Sequence, residues 1–188
     1  MGLLIRDIVS EATKSSHRRL DLALSWLDIG KPRYYEGFLR GQAEALFPLE
    51  AALEEQGIAN VIADWPLRAR TPSLEHDLAA MDVGCDPLPM PEFRSTAEML
   101  GAVYVLEASR MGARVMLARL AQHPDSSAMG ATAYLRHGFG KRFWPTFLTV
   151  LENHPDAQAD TAAVVQGAEI AYGMFESALI PVASVAAE

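Results

Sequence analysis

The sequence predicts an all-α protein, and two features of its patterning support that fold class. Apolar residues recur at helical spacing along most of the 188 residues, and no segment shows the apolar–polar alternation typical of a half-buried strand. Glycine and proline punctuate this pattern, most clearly in the stretch GCDPLPMPEF at 84–93. We therefore expect a single domain over residues 1–188, built as a multi-helix bundle of roughly six to eight helices.

The first half of the chain is expected to form two long helices. The first spans residues 3–28, and the second begins at Pro32, because the first turn of a helix tolerates proline. This second helix is expected to be kinked at Pro48 and to stop at Gly57. The segment that follows is less regular, with a short helix over residues 73–81.

The second half is expected to contain a long helix and several shorter ones. The extended, proline-rich connection leads into a helix over residues 93–122. Two glycines interrupt the helical pattern of residues 128–153. A last helix is expected over residues 156–179, stopping near Pro181.

Composition and charge argue against several classes of protein. A formal net charge of −8 disfavours non-specific binding to nucleic acid, which needs clustered lysine and arginine. No apolar run approaches the roughly 18 residues of a membrane span, and MGLLIRDIV lacks the apolar core of a signal peptide. Cys85 is the single cysteine, which precludes an internal disulfide and fits a reducing compartment. We expect a cytoplasmic protein.

His17, in the segment EATKSSHRRLD, is the first candidate functional residue. At about 100° per residue, Thr13, Leu20 and Leu24 lie within roughly 60° of it on one helical face. A lone histidine on an apolar face is most often a core residue held by one hydrogen bond. The alternative is a single imidazole ligand to a metal that brings four equatorial donors of its own, which is heme.

A second candidate wall lies in GAVYVLEASRMGARVML, residues 101–117. Gly101, Val105, Ala108 and Gly112 fall on one face at spacings of four, three and four residues. A face of small residues lets a flat ligand approach the helix backbone, and equally lets another helix pack closely. The pattern leaves both interpretations open. No distal histidine of the peroxidase type accompanies it.

Taken in order, these segments resemble the heme oxygenase family, especially its bacterial, bacteriophytochrome-associated members. EATKSSHRRLD is similar to the proximal-helix motif, and YVLEASRMGARVML is similar to the distal helix. YYEGFLRGQAEALFPLEAALEEQG, FWPTFLTVLE and AEIAYGMFESAL also match that subgroup, so the resemblance covers nearly the whole chain. It implies one heme oxygenase-like helical domain.

The resemblance also implies a reaction and a set of site residues. Such a protein opens heme, with O2 and electrons from a ferredoxin or reductase, to biliverdin, CO and iron, and a bacteriophytochrome would receive the biliverdin. His17 would be the axial ligand to the iron, and Lys14 would attract a heme propionate. The remaining residues implied at the heme are Thr13 on the proximal side and Ala108, Ser109, Gly112 and Ala113 on the distal side.

Some positions depart from the family pattern. The distal motif usually begins with glycine where this chain has Ala108, and the mammalian type has an aspartate where Ser109 stands. A serine hydroxyl can hydrogen-bond a water but carries no negative charge. Lys141 and Arg142 are either further propionate partners or an ordinary surface pair.

Three other functions therefore stay open. A catalytically silent relative that binds heme or a bilin would explain Ala108 and Ser109. A thiaminase-like enzyme of related fold would use Cys85 as its nucleophile. A bundle that only mediates protein contact would bury His17 as an inert core residue.

Overall fold

Every regular element of the structure, a computed structural model that describes residues 3–123 and 126–186, is a helix. The predicted all-α fold class is therefore confirmed, while a single domain over 1–188 stays a prediction. Two short 3-10 turns lie at Ile58–Asn60 and Ser127–Gly130. The α-helices in the described ranges are α1 (Ile5–Ala12), α2 (Lys14–Ser25), α3 (Pro32–Glu55), α4 (Trp65–Arg68), α5 (Thr71–Ala80), α6 (Thr96–Leu120), α7 (Ala133–Arg136), α8 (Phe143–Asn153), α9 (Pro155–Ala159) and α10 (Thr161–Ala186).

The first predicted helix is two helices, which corrects the expectation of one helix over residues 3–28. The break falls at Thr13, whose backbone leaves the helical region with φ −94° and ψ 6°. Its buried hydroxyl donates a hydrogen bond of 2.8 Å to the carbonyl oxygen of Val9. A hydroxyl bonded back to the preceding turn bends a helix. The break places His17 in α2, a helix distinct from α1.

Helix α3 continues through Pro48 and ends close to its predicted end. Pro48 has no N–H to donate to the carbonyl oxygen of Glu44 one turn earlier. That oxygen accepts instead from the backbone N–H of Leu88, at 2.9 Å, in the extended connection that the prolines predicted. The chain then leaves the helix at Gly57 with φ +80°, a conformation that glycine adopts without steric cost.

A serine side chain caps the start of helix α6, and core packing extends the end of helix α10. Ser95 caps α6 by accepting a hydrogen bond from the backbone N–H of Glu98, and the Glu98 carboxylate accepts from the backbone N–H of Arg94. The expected stop near Pro181 is wrong, because α10 runs on to Ala186. Ala183 beyond the proline is buried in the core, so packing holds the last turn.

Helices α6 and α10 form the most closely packed pair of the fold. A Cβ added at Gly101 of α6 would overlap the carbonyl oxygen of Val164, and one added at Gly167 of α10 would overlap the carbonyl oxygen of Glu98. The absence of a side chain at Gly101 therefore allows α6 and α10 to pack closely. Helices α2 and α3 also pack on α10. No helix in the described ranges is long and apolar enough to cross a bilayer.

Replacing Gly101 with Ala is expected to destabilise the fold by on the order of 1–3 kcal/mol, because backbone atoms cannot move away as a side chain can. The matched control is Gly173→Ala on α10, where an added Cβ meets nothing within 4 Å. That variant is expected to gain about 0.5–1 kcal/mol from lower backbone entropy in the unfolded chain. Urea unfolding followed by circular dichroism compares them, and equal midpoints would contradict the close packing.

Candidate functional site

An apolar cavity of about 430 Å³ is bordered by α2 and α6 together with α3 and α10. Its volume lies within the roughly 300–1,000 Å³ range of pockets that bind small molecules and cofactors. Leu20 and Val105 line its sides, and Phe38 and Phe175 add aromatic surface. The two helices that the sequence singled out therefore border one space.

His17 lies at the edge of the apolar face of α2 and lines this cavity. Its side chain is 63% exposed, whereas Leu20 on the same face is buried. The interpretation of His17 as a buried core histidine is therefore wrong. The ring centroid of Tyr172 on α10 lies 6.2 Å from that of the imidazole. An accessible imidazole on an apolar wall is free to meet a ligand.

Asp21 stands one helical turn after His17, and sequence analysis missed it. Its Oδ2 lies 3.3 Å from Nε2 of His17, and it also lines the cavity. The sequence feature that could have identified Asp21 is its i, i+4 spacing from His17 on a helix. The described residues contain no group of three or more His, Cys, Asp or Glu side chains arranged to hold a metal ion.

The opposite wall brings together all four residues predicted on the distal helix. Ala108, Ser109, Gly112 and Ala113 line the cavity. A Cβ built at Gly112 would meet nothing within 4 Å, so no neighbouring helix requires glycine there. Gly101, although it shares the sequence pattern, packs against α10 instead. The small-residue face thus divides into a packing half and an open half.

Two predicted proximal residues lie outside the cavity lining. Lys14 is exposed, and its ammonium lies 3.3 Å from the Glu11 carboxylate. Thr13 is buried and bonded to Val9 as described above. The cation that does line the cavity is Arg119, which donates hydrogen bonds to the carbonyl oxygens of Leu24, at 3.0 Å, and Leu27. Arg119 thereby joins the end of α2 to α6.

A polar group in the cavity wall comes from parts of the chain that sequence analysis left unassigned. Tyr134 of α7 donates a hydrogen bond of 2.6 Å to Oε1 of Gln42 of α3, and both side chains line the cavity. Behind them lies Arg70, only 1% exposed, with Nη1 3.4 Å from the Tyr134 hydroxyl. Among the described residues, its Nε and Nη2 have no hydrogen-bond partner. Burial raises the pKa of Tyr134, which keeps the phenol protonated.

The other candidates fall elsewhere. Cys85 lies outside the cavity lining, and burial raises the pKa of its thiol, which leaves the thiaminase-like alternative without a nucleophile there. Lys141 lines a second, smaller cavity, and Arg142 lines neither of the two.

Fold and cavity together define an all-helical protein with an apolar pocket between its helices. Comparison with known structures gives it the heme oxygenase fold. The chain is similar to the NO- and CO-bound heme oxygenase from Neisseria meningitidis, with a TM-score of 0.69 and 18% identity over 97% of this chain and 94% of that one.

Comparison of sequences agrees with that fold. The chain is 27% identical, over 145 residues, to a heme oxygenase from Xanthomonas campestris pv. campestris (strain 8004), covering 77% of this chain and 88% of the relative. No family model matches the chain. The resemblance to heme oxygenases is confirmed as a similarity in sequence and in fold, while the bacteriophytochrome-associated subtype stays a prediction.

Proposed function

We propose that the protein is a heme oxygenase, which binds heme in the larger cavity and opens it to biliverdin, CO and iron. The observation that carries the proposal is the pairing, across one apolar cavity, of an accessible imidazole at His17 and an uncovered glycine at Gly112. The homologous and structurally similar heme oxygenases support it. A cytoplasmic ferredoxin or reductase would supply the electrons, and a bacteriophytochrome would receive the product.

The residues of the cavity fit heme in their chemistry. The lining is largely apolar, as a porphyrin face requires, and it includes one imidazole that can hold the iron and a set of small side chains on α6. When bound, heme supplies both the iron that activates O2 and the ring that is oxidised. The protein's part is ligation, orientation and proton supply.

His17 would hold the iron through one ring nitrogen. The neighbouring Asp21 carboxylate favours a proton on the ring nitrogen that faces it, so the other nitrogen keeps the lone pair that a metal needs. Asp21 thus gives the imidazole an anionic neighbour one helical turn away.

The distal wall would leave room for O2 and position water. Ala108, Gly112 and Ala113 place at most a methyl group each against the cavity. The hydroxyl of Ser109 donates to the carbonyl oxygen of Leu106 at 2.8 Å, which leaves its lone pairs free to accept from a water. Together with the Tyr134–Gln42 pair, Ser109 would hold water in the cavity and supply protons there.

Turnover tests the proposal directly. Purified protein given hemin, O2 and an electron donor is expected to lose its Soret band while bilin absorbance appears. The same mixture without the electron donor is the control. A heme complex that is reduced and oxygenated yet keeps its Soret band would support the silent heme-binding relative, to which Ala108 and Ser109 point.

Lys14 is proposed as a propionate partner, which requires its ammonium to leave Glu11 when heme binds. Lys14→Glu is then expected to weaken hemin binding by on the order of 1–3 kcal/mol, the range for hydrogen bonds to charged groups. Lys31→Glu is a matched control, because Lys31 is exposed and lies 3.3 Å from Asp28 in the same i, i+3 arrangement. Soret titrations give both affinities, and equal affinities would leave Lys14 as a solvated surface residue.

A further inference from the structure

A second cavity, of about 200 Å³, lies against a different face of α6. Arg110 and Arg114 of α6 line it, together with most of the residues in the loop and helix start between His137 and Pro145. Met111 borders both this cavity and the larger one. The two cavities are therefore neighbours that share one helix as a wall.

The second cavity carries positive charge in an acidic protein. Arg110, Arg114 and Lys141 line it, and Glu107 is its one lining carboxylate. Glu107 is buried and already lies 3.0 Å from Arg110 and 3.4 Å from Arg68. Within residues 3–123 and 126–186, Arg114 and Lys141 make no ion pair with a carboxylate. Two cations therefore face this space without a protein counterion in the described chain, although the whole chain carries a net charge of −8.

Aromatic side chains form the rest of the lining. Phe139 is 46% exposed, and the Arg114 guanidinium lies 5.7 Å from its ring centroid. Trp144 is half-buried and lines the same cavity. Gly138 and Gly140, with φ +78° and +76°, form the turn that carries Phe139 outward. The cavity thus combines free cations with exposed aromatic faces.

His137 adds no charge to this lining near neutral pH. Its Nδ1 lies 2.9 Å from Nη1 of Arg110, so this ring nitrogen accepts the hydrogen bond. Burial, together with Arg110 and Arg70, lowers the pKa of His137 to about 4. The positive charge of the cavity therefore comes from its arginine and lysine side chains.

We propose that the second cavity binds an organic carboxylate with a flat apolar body. The carboxylate meets Arg114 and Lys141, which are charge-assisted donors, and the body lies against Phe139 and Trp144. Such a ligand also contacts Met111, within one helical turn of Ala108 and Gly112 in the larger cavity. The proposal does not depend on heme binding.

Calorimetric titration of the heme-free protein with benzoate tests this site. Benzoate is expected to bind, while benzamide, which lacks the charge, and acetate, which lacks the ring, are expected to bind much more weakly. The double variant Arg114→Gln/Lys141→Gln is expected to lower benzoate affinity at least about tenfold, because it removes two charge-assisted contacts. Arg18→Gln/Lys31→Gln makes the same charge change on residues outside both cavities and is expected to leave the affinity unchanged.

A second variant separates the two cavities. Gly112→Leu puts a side chain into the larger cavity and is expected to retain benzoate binding, because Gly112 does not line the second. Binding that disappears in Gly112→Leu but survives in Arg114→Gln/Lys141→Gln would place benzoate in the larger cavity and overturn the proposal. Absence of benzoate binding to the unaltered protein would overturn it as well. Neither result bears on heme turnover, which is measured separately.

Discussion

Replacing His17 with Ala is expected to remove the histidine-ligated absorption spectrum of the hemin complex and to leave heme loosely held. The His17 imidazole is an accessible nitrogen ligand in the lining of the larger cavity, with the Asp21 carboxylate beside it. An apolar cavity still attracts the porphyrin, so weak binding without histidine ligation is the expected remainder. The Soret spectrum and a hemin titration measure both effects.

Replacing each of the other four histidines with Ala provides the controls for His17→Ala. His76, His123, His137 and His154 lie outside the lining of the larger cavity, so replacing each with Ala is expected to leave the Soret band unchanged. Asp21→Asn keeps the imidazole and removes the nearby charge, so histidine ligation is expected to persist. If His17→Ala binds hemin with the original spectrum and affinity, the assignment of the axial ligand is wrong.

The helices that sequence analysis placed correctly are those with strong local signals. The helix over Pro32–Glu55 has a proline in its first turn and a left-handed glycine just past its end, and the helix over Thr96–Leu120 has a serine cap. The helix boundaries that were predicted wrongly are those determined by contacts with residues distant in sequence or by a buried side chain. Thr13 breaks the first helix through its buried hydroxyl, and packing of Ala183 carries the last helix past Pro181.

In the candidate site, too, local sequence patterns identified some residues, and others depend on contacts between distant parts of the chain. Helical spacing together with the resemblance to heme oxygenases predicted that His17 and Gly112 belong to one site, and both line one cavity. Helical spacing was not enough to separate Gly101 from Gly112, because the difference lies in whether α10 packs against that position. The Tyr134–Gln42 hydrogen bond joins residues 92 positions apart, so no local sequence pattern predicts it.

The small side chains of the distal wall lead to the second large effect. Gly112→Leu is expected to lower heme turnover by at least about 100-fold, since a branched side chain there fills part of the larger cavity and displaces the substrate. The fold should tolerate the change, because an added Cβ at Gly112 meets nothing within 4 Å. Gly173→Leu is the matched control: its Cβ is equally unobstructed, and Gly173 does not line the larger cavity.

Ala108 provides the opposite change on the same wall. Its methyl group narrows the cavity where the family usually has glycine, so Ala108→Gly is expected to keep or raise turnover, at a cost in helix stability of about 1 kcal/mol. Loss of the Soret band and rise of bilin absorbance, measured with equal heme loading, give the rates of both variants. If Gly112→Leu turns over at the original rate, the distal wall lies elsewhere. Loss of turnover in both Ala108→Gly and Gly112→Leu would mean that removing and adding side-chain volume on this wall both lower the rate. The Ala108 methyl group would then position the substrate instead of obstructing it.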